Sequence, residues 1–221
     1  MTALIPLALL LAQEGGFELN TGPIRFRGAE LRGQYVRASD VETDLPYAEE
    51  REGNVFNVTT SRLDFGDVEY DGQSLGVALD FDVVRLSAEG HWGDWEGEGV
   101  LTFGDTLGPT TRMPVDLEGE WMGLRFGAEW AALRYAGETF EASLGPALGV
   151  NWYRFAFDDV AASPLKFDEE PDALVGSLGP RLRLRAVFDR FFVTLEAESS
   201  YLFDSLEGRE DRLGLSVGLR F

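Results

Sequence analysis

His91 is the only histidine in the chain, and an imidazole beside a hydroxyl and a carboxylate is the arrangement that activates a nucleophile. Ser87, Glu89 and His91 alternate along one extended segment, so they share a face. Their spacing defeats the relay: Ser87 and His91 are four residues apart, about 13 Å at the rise of a strand, too far for a hydrogen bond. No catalytic residue is assigned, and His91 reads as a hydrogen-bonding side chain on a polar face. Carboxylates are the second candidate chemistry. The stretches Asp40 to Glu52 and Asp158 to Asp172 are acidic, the second holding Asp158, Asp159, Asp168, Glu169, Glu170 and Asp172. Neither has the alternating pattern of a dedicated calcium loop, so both read as solvated acidic loops and no metal ligand or cofactor is assigned. Asn57-Val58-Thr59 fits a glycosylation sequon, which is treated as a chance match.

The charges need positioning, and composition limits how. With 221 residues, the chain has room for one domain. Its 39 acidic against 19 basic residues give a net charge of −20, which excludes a nucleic-acid surface built on clustered cations. Only Lys166 among the basic residues is a lysine, and there is no cysteine, hence no disulfide framework, thiolate metal site or lipid-modified cysteine. Residues 2 to 12 are almost continuously apolar. The run is too short for a membrane helix and resembles a secretory signal ending near Ala12. The expected organisation is a signal over 1–12, a lead-in over 13–25 and a single barrel over 26–221.

From residue 26 onward the pattern has a period of two, which is the period of strands. Phe26 to Arg37 sets Ala29, Leu31, Gly33 and Tyr35 against Glu30, Arg32 and Gln34. Ala38 to Gly53 is expected as a loop, and Asn54 to Phe65 as either a further strand or a projecting hairpin. Ser74 to Phe81 alternates cleanly, parity switches at Val83-Val84, and the apolar face moves to Val84, Leu86, Ala88 and Trp92. A switch without a loop marks a tight turn, and it sets Asp80 opposite Arg85. Gly93, Gly97 and Gly99 suggest bulges beyond it. A second shift, near Met122-Gly123, separates Val115, Leu117, Gly119 and Trp121 from Leu124, Phe126, Ala128 and Trp130, and is expected as one long bulged strand or, alternatively, two short ones. A turn over Leu133 to Glu138 leads to a strand from Phe140 to Trp152 that Pro146 makes irregular. After a loop from Asp158 to Gly176, the turn at Asp189-Arg190 places Arg181 opposite Glu198, Arg183 opposite Glu196 and Arg185 opposite Thr194.

Tight connections near 82, 135 and 190 alternate with long polar ones near 45, 108, 167 and 207, the rim asymmetry of an outer-membrane barrel. The last ten residues strengthen it: Leu213, Leu215, Val217, Leu219 and Phe221 alternate with small or charged residues. This ending resembles the closing strand of Gram-negative outer-membrane β-barrels, whose alternating apolar residues and terminal Phe are recognised by the barrel-assembly machinery. The resemblance implies an all-β fold, a closed antiparallel up-and-down transmembrane barrel of eight strands, or ten if Asn54 to Phe65 joins the wall.

A soluble lipocalin-like barrel would turn its apolar rows inward. In a membrane the rows Arg181/Arg183/Arg185, Glu196/Glu198 and Asp116/Glu118/Glu120 must face the lumen, since an Arg at mid-bilayer on the lipid face costs roughly 2–4 kcal/mol. Trp92, Trp121, Trp130, Trp152, Tyr201 and Phe221 suit interfacial girdles. An eight-stranded interior is just wide enough for its own side chains, so Asp80/Arg85, Arg181/Glu198 and Arg183/Glu196 are expected as a salt-bridged filling. The pattern resembles OmpA-like, OmpX-like or OmpW-like barrels in architecture, with no motif tying it to one of them. That implies a monomer with a structural or interaction role in the envelope, in contact with outer-membrane lipid and lipopolysaccharide, to which the acidic loops could bridge through divalent ions. Two other functions compete: a narrow passive channel, and a lipid-modifying enzyme. Against the enzyme, lipid A deacylases of similar shape carry His and Ser two residues apart, whereas Glu89 and Gly93 occupy those positions around His91; omptin-type proteases need an Asp-His pair, of which Glu89/His91 is a loose echo.

Overall fold

The computed structural model describes residues 18–21, 23–43, 48–54, 57–105, 110–156 and 171–221; the expected signal, residues 44–47 of the first acidic stretch and most of the second lie outside them. Among the described residues there are eleven strands: β1 (Glu18–Leu19), β2 (Phe26–Thr43), β3 (Ala48–Asn54), β4 (Asn57–Phe81), β5 (Val84–Asp105), β6 (Thr111–Trp130), β7 (Leu133–Ala136), β8 (Phe140–Phe155), β9 (Asp172–Phe188), β10 (Phe191–Asp204) and β11 (Leu206–Arg220). Eight form the wall in the order β2-β4-β5-β6-β8-β9-β10-β11, all antiparallel, and β11 pairs with β2 to close it. Asn57 to Phe65 belongs to a wall strand that outruns β2, stays paired with β5 from Thr59↔Asp105 on one edge and forms a hairpin with β3 on the other, so the wall has eight strands and not ten.

Pair register fixes the barrel's tilt. Stepping through lateral partners from Leu219 leads to Ala29, Leu79, Leu86, Ala128, Leu148, Leu178, Tyr201 and then Arg209, back on β11 but ten residues away (219 less 209). A shift of ten residues at about 3.3 Å, spread over eight gaps of about 4.8 Å, inclines the strands by about 40°.

Several expectations change. The loop expected over Ala38 to Gly53 is largely strand, with β2 running to Thr43 and β3 starting at Ala48. The connection near 207 is tight: Ser205 alone separates β10 from β11, and Asp204 bends the chain with a φ of 94°. β9 begins at Asp172, so the loop expected to reach Gly176 ends sooner. β5 and β6 pair without a break from Val84↔Trp130 to Phe103↔Thr111, so Gly93 marks no bulge; the irregularity expected near Gly97 and Gly99 is there, but its extra residue is on β4, between Phe65 and Val68 opposite those two glycines. Pro146 does mark a break. On one side β8 pairs with β6 as far as Ala147 and with β7 from Leu144, leaving Gly145 and Pro146 between partners. Ahead of β2, the chain lies against β7, where Glu18 pairs with Arg134, and Asn20 Nδ2 donates to the Asp82 carbonyl at 2.6 Å.

Candidate functional site

On β2, β4, β5, β6 and β11 the outward row changes from apolar to polar partway along without a change of parity. On β6, Met122, Leu124, Phe126 and Trp130 point out, and Arg125 and Glu129 point in. Above Met122 the same outward row continues as Glu120, Glu118 and Asp116, while the inward row becomes Trp121 and Leu117. The apparent shift near Met122-Gly123 is thus a change of surroundings at constant parity. β5 does the same between Trp92 and Asp94, and β4 between Leu75 and Asp71. Two expectations are corrected by this inversion: Asp116, Glu118 and Glu120 face away from the lumen, and Trp121, 2% exposed, is a core residue and not part of a girdle. Trp92, Trp130, Trp152, Tyr201 and Phe221 do point outward, as do Leu213, Leu215, Val217 and Leu219.

The lower storey, nearer the tight turns, is ionic. Arg32 meets Glu196 at 2.8 Å and Glu89 at 3.0 Å. Arg85 meets Glu196 at 2.7 Å and also Glu30, and Arg125 meets Glu198 at 2.6 Å. The register sets Arg181 opposite Glu198, and the two are ion-paired. It likewise sets Arg183 opposite Glu196 and Asp80 opposite Arg85, yet those partners part company. Arg183 reaches Glu30 at 3.3 Å and Glu129 at 3.5 Å, while Asp80 takes Arg185 at 2.6 Å and Arg183 at 3.6 Å. Long guanidinium stems cross the lumen, so the nearest carboxylate is often on a strand that is not adjacent. Arg185 still donates to its lateral neighbour Thr194 at 3.2 Å.

Charge within the lumen balances. Arg32, Arg85, Arg125, Arg181, Arg183, Arg185 and Arg212 are buried, as are Glu30, Asp80, Glu89, Glu129, Glu141, Glu196, Glu198 and Glu210. Arg27, bonded to Glu141 at 2.6 Å, brings the cations to the number of carboxylates. The chain's net charge of −20 therefore sits outside the lumen. Below the network, the turn-side mouth holds a cavity of about 20 Å³ beside Arg27, Asp82, Arg134 and Glu141, room for about one water. Arg134 there is held below the usual guanidinium range, first by its partial burial and then by Arg27.

The upper storey is aromatic. Tyr70 and Trp121 lie 4.9 Å apart between ring centroids, Trp121 and Tyr153 5.5 Å, and Trp95 and Phe155 5.6 Å, in the tilted and edge-on geometries that aromatic quadrupoles favour. Their polar atoms are satisfied: Trp121 Nε1 donates to the Asp71 carbonyl at 2.9 Å and Trp95 Nε1 to that of Ala156 at 2.7 Å. Gly93 makes room for Trp121, because a Cβ there would lie 2.8 Å from the indole nitrogen. The storeys meet at Glu210, which accepts hydrogen bonds from Tyr70 and Tyr153 at 2.8 Å each and from Arg212 at 2.6 Å.

His91 lies at this junction, stacked on Trp121 at 6.1 Å and 2% exposed, with neither ring nitrogen hydrogen-bonded among the described residues. Its lateral neighbour is Ser74 and not Ser87, and the Ser74 hydroxyl donates to Glu89 at 3.5 Å. The lateral pair was available from the turn, since any register that pairs Asp80 with Arg85 also pairs Ser74 with His91.

Outside, above the belt, β4, β5 and β6 carry laterally matched acids. Asp71 pairs with Asp94 and Asp94 with Glu120; Glu69 pairs with Glu96 and Glu96 with Glu118; Glu98 pairs with Asp116. Arg37, lateral to both Asp71 and Asp211, is the cation in the first of these rows.

No protein-family model matches the chain, and no curated protein matches it. Among solved structures it is similar to Neisserial surface protein A, at 10% identity and a TM-score of 0.45 over 87% of this chain and 97% of that one. It is also similar to Ail, the attachment invasion locus protein of Yersinia pestis, at 14% identity and a TM-score of 0.40 over 88% and 99%. A third similar structure is the β domain of the Bordetella autotransporter BrkA, at 12% identity and a TM-score of 0.31 over 88% and 98%. All three are outer-membrane β-barrels; the likeness is to that architecture and not to one family.

Proposed function

We propose that this protein is a monomeric, non-enzymatic barrel of the bacterial outer membrane, with a lumen plugged by its own ion pairs, that presents an acidic wall and acidic loops at the cell surface in a structural or adhesive role. The single observation behind this reading is the inversion of faces. An outward belt of Leu, Val, Phe and Trp suits hydrocarbon, and the same rows turn acidic where the wall rises clear of it. Its surroundings would be outer-membrane lipid and lipopolysaccharide, and the strand ending in Phe221 would be what the assembly machinery recognises.

A plugged lumen distinguishes this reading from a passive channel. The expected outcome is a barrel that fractionates with the outer membrane, shifts in gel mobility on heating, and gives no steady single-channel conductance in planar bilayers. Recovery in the soluble fraction overturns the location, and a stable conductance overturns the plug. His91→Ala is expected to leave the lipid A of the host membrane unchanged, and an altered acylation pattern would restore the enzyme.

A further inference from the structure

The turn-side rim carries an arrangement that neither the plug nor the acidic wall uses. Phe26 stacks on Phe221 with ring centroids 5.8 Å apart and meets Phe81 edge-on at 5.6 Å. Phe188 and Phe191, beside them on the next hairpin, are 62% and 64% exposed. Three arginines flank these rings across the closing seam. Arg190 lies in the β9–β10 turn, Arg220 ends β11, and Arg25 immediately precedes β2. Backbone hydrogen bonds lock the segments together: Arg220 N–H donates to the Arg190 carbonyl at 2.8 Å, and Phe221 N–H to the Arg27 carbonyl at 2.9 Å.

All three side chains are exposed, and none is ion-paired to another described residue. That sets them apart from Arg27, which is bonded to Glu141 at 2.6 Å, and from Arg134, which lies 3.5 Å from it. Asp82, the acid nearest Arg25 along the rim, is itself 3.5 Å from Arg27. In a chain with an excess of 20 negative charges, three guanidiniums without an ion-pair partner among the described residues stand on adjoining segments next to exposed aromatic rings, with Asp189 the exposed acid in the same turn as Arg190. Guanidinium forks match phosphate oxygens, and aromatic rings at a membrane interface sit at headgroup depth.

We propose that this seam binds the headgroup of an anionic phospholipid in the periplasmic leaflet, with Arg25, Arg190 and Arg220 on the phosphate and the Phe26/Phe221 stack against the glycerol and upper acyl carbons. The proposal rests on the membrane placement argued above, and it adds a lipid preference that the placement alone does not require.

The test titrates the refolded full chain in detergent micelles with phosphatidylglycerol or with phosphatidylcholine, counting lipids retained by native mass spectrometry after heat-modifiable gel mobility has established that the barrel is formed. Phosphatidylglycerol is expected to be retained in preference. R25Q/R190Q/R220Q should abolish that preference, R25K/R190K/R220K should keep part of it, and R112Q at the opposite rim should leave it intact. Should the triple variant not fold, R190Q and R220Q are read singly, with affinity expected to fall on the order of fivefold for each arginine removed. A folded barrel that retains both lipids equally, or a preference that survives the triple substitution, overturns the lipid site alone. A chain that never forms a barrel in micelles overturns the membrane placement instead.

Discussion

Within one strand, β5 from Arg85 to Trp92 and β5 from Asp94 to Leu101 are built on the same pleat with opposite rules. In the first part Arg85, Glu89 and His91 are buried and Leu86 and Trp92 exposed; in the second Trp95 and Leu101 are buried and Asp94 and Glu96 exposed. A strand face has no fixed polarity of its own. Hydrocarbon outside makes buried ion pairs tolerable, because the alternative exposes charge to lipid, whereas water outside restores an ordinary aromatic core. The lesson is that alternation identifies a strand, but the sign of the alternation reports the local solvent.

The largest effects should come from mutating the interior, and they should differ in kind between storeys. Glu196→Ala leaves Arg32 and Arg85 without an acceptor each now reaches at 2.8 and 2.7 Å, and stranding buried charge costs roughly 3–5 kcal/mol. Trp121→Ala removes the centre of the aromatic storey and costs a similar 3–5 kcal/mol, but as a cavity, so a small apolar side chain placed nearby should recover part of the loss. Urea unfolding in lipid vesicles measures both. Equal rescue of Glu196→Ala by apolar filling would contradict the ionic reading of the lower storey. Next in size is a pair of outward substitutions on β6. Phe126→Arg in the belt is expected to destabilise by roughly 2–4 kcal/mol, and Glu118→Arg, eight residues away on the same face, not at all. Similar losses at both sites would place the membrane boundary elsewhere.

The inversion also explains which features are legible in the sequence. Turns at 82 and 190 were readable because parity must switch there, and each turn fixed a register: Asp80 against Arg85 and Arg183 against Glu196 are indeed lateral neighbours. Ion pairing was not readable from register, because an arginine stem spans the lumen and Arg183 finds Glu30 and Glu129 instead. At Met122 a change of solvent and a bulge produce the same one-residue offset in a hydrophobic pattern, so alternation alone turns Asp116, Glu118 and Glu120 inward and Trp121 outward. What separates the two cases is the partner strand. Reading β5 beside β6 shows the offset at the same height, Trp92 against Met122, and a bulge in one strand does not reproduce itself in its neighbour.

The smallest expected effect is the one that opposes the storeys most directly. Glu96 has Glu69 and Glu118 as its lateral neighbours, and like charges directly opposite across strands destabilise by about 0.2–1 kcal/mol. Glu96→Gln should therefore stabilise the barrel by a few tenths of a kcal/mol up to about 1 kcal/mol. Cβ atoms of lateral neighbours are about 5 Å apart, beyond the screening length of about 3 Å in 1 M salt, so the gain seen at about 10 mM should fade at about 1 M. Glu196→Gln in the lumen is the matched control. It makes the same chemical change but removes a charge its arginines need, so it should destabilise, with little dependence on salt because the pairs are buried. Unfolding midpoints of both variants at the two salt concentrations decide the matter. A loss of stability in Glu96→Gln, or a gain indifferent to salt, would mean that the outer acids are held by something other than mutual repulsion in water.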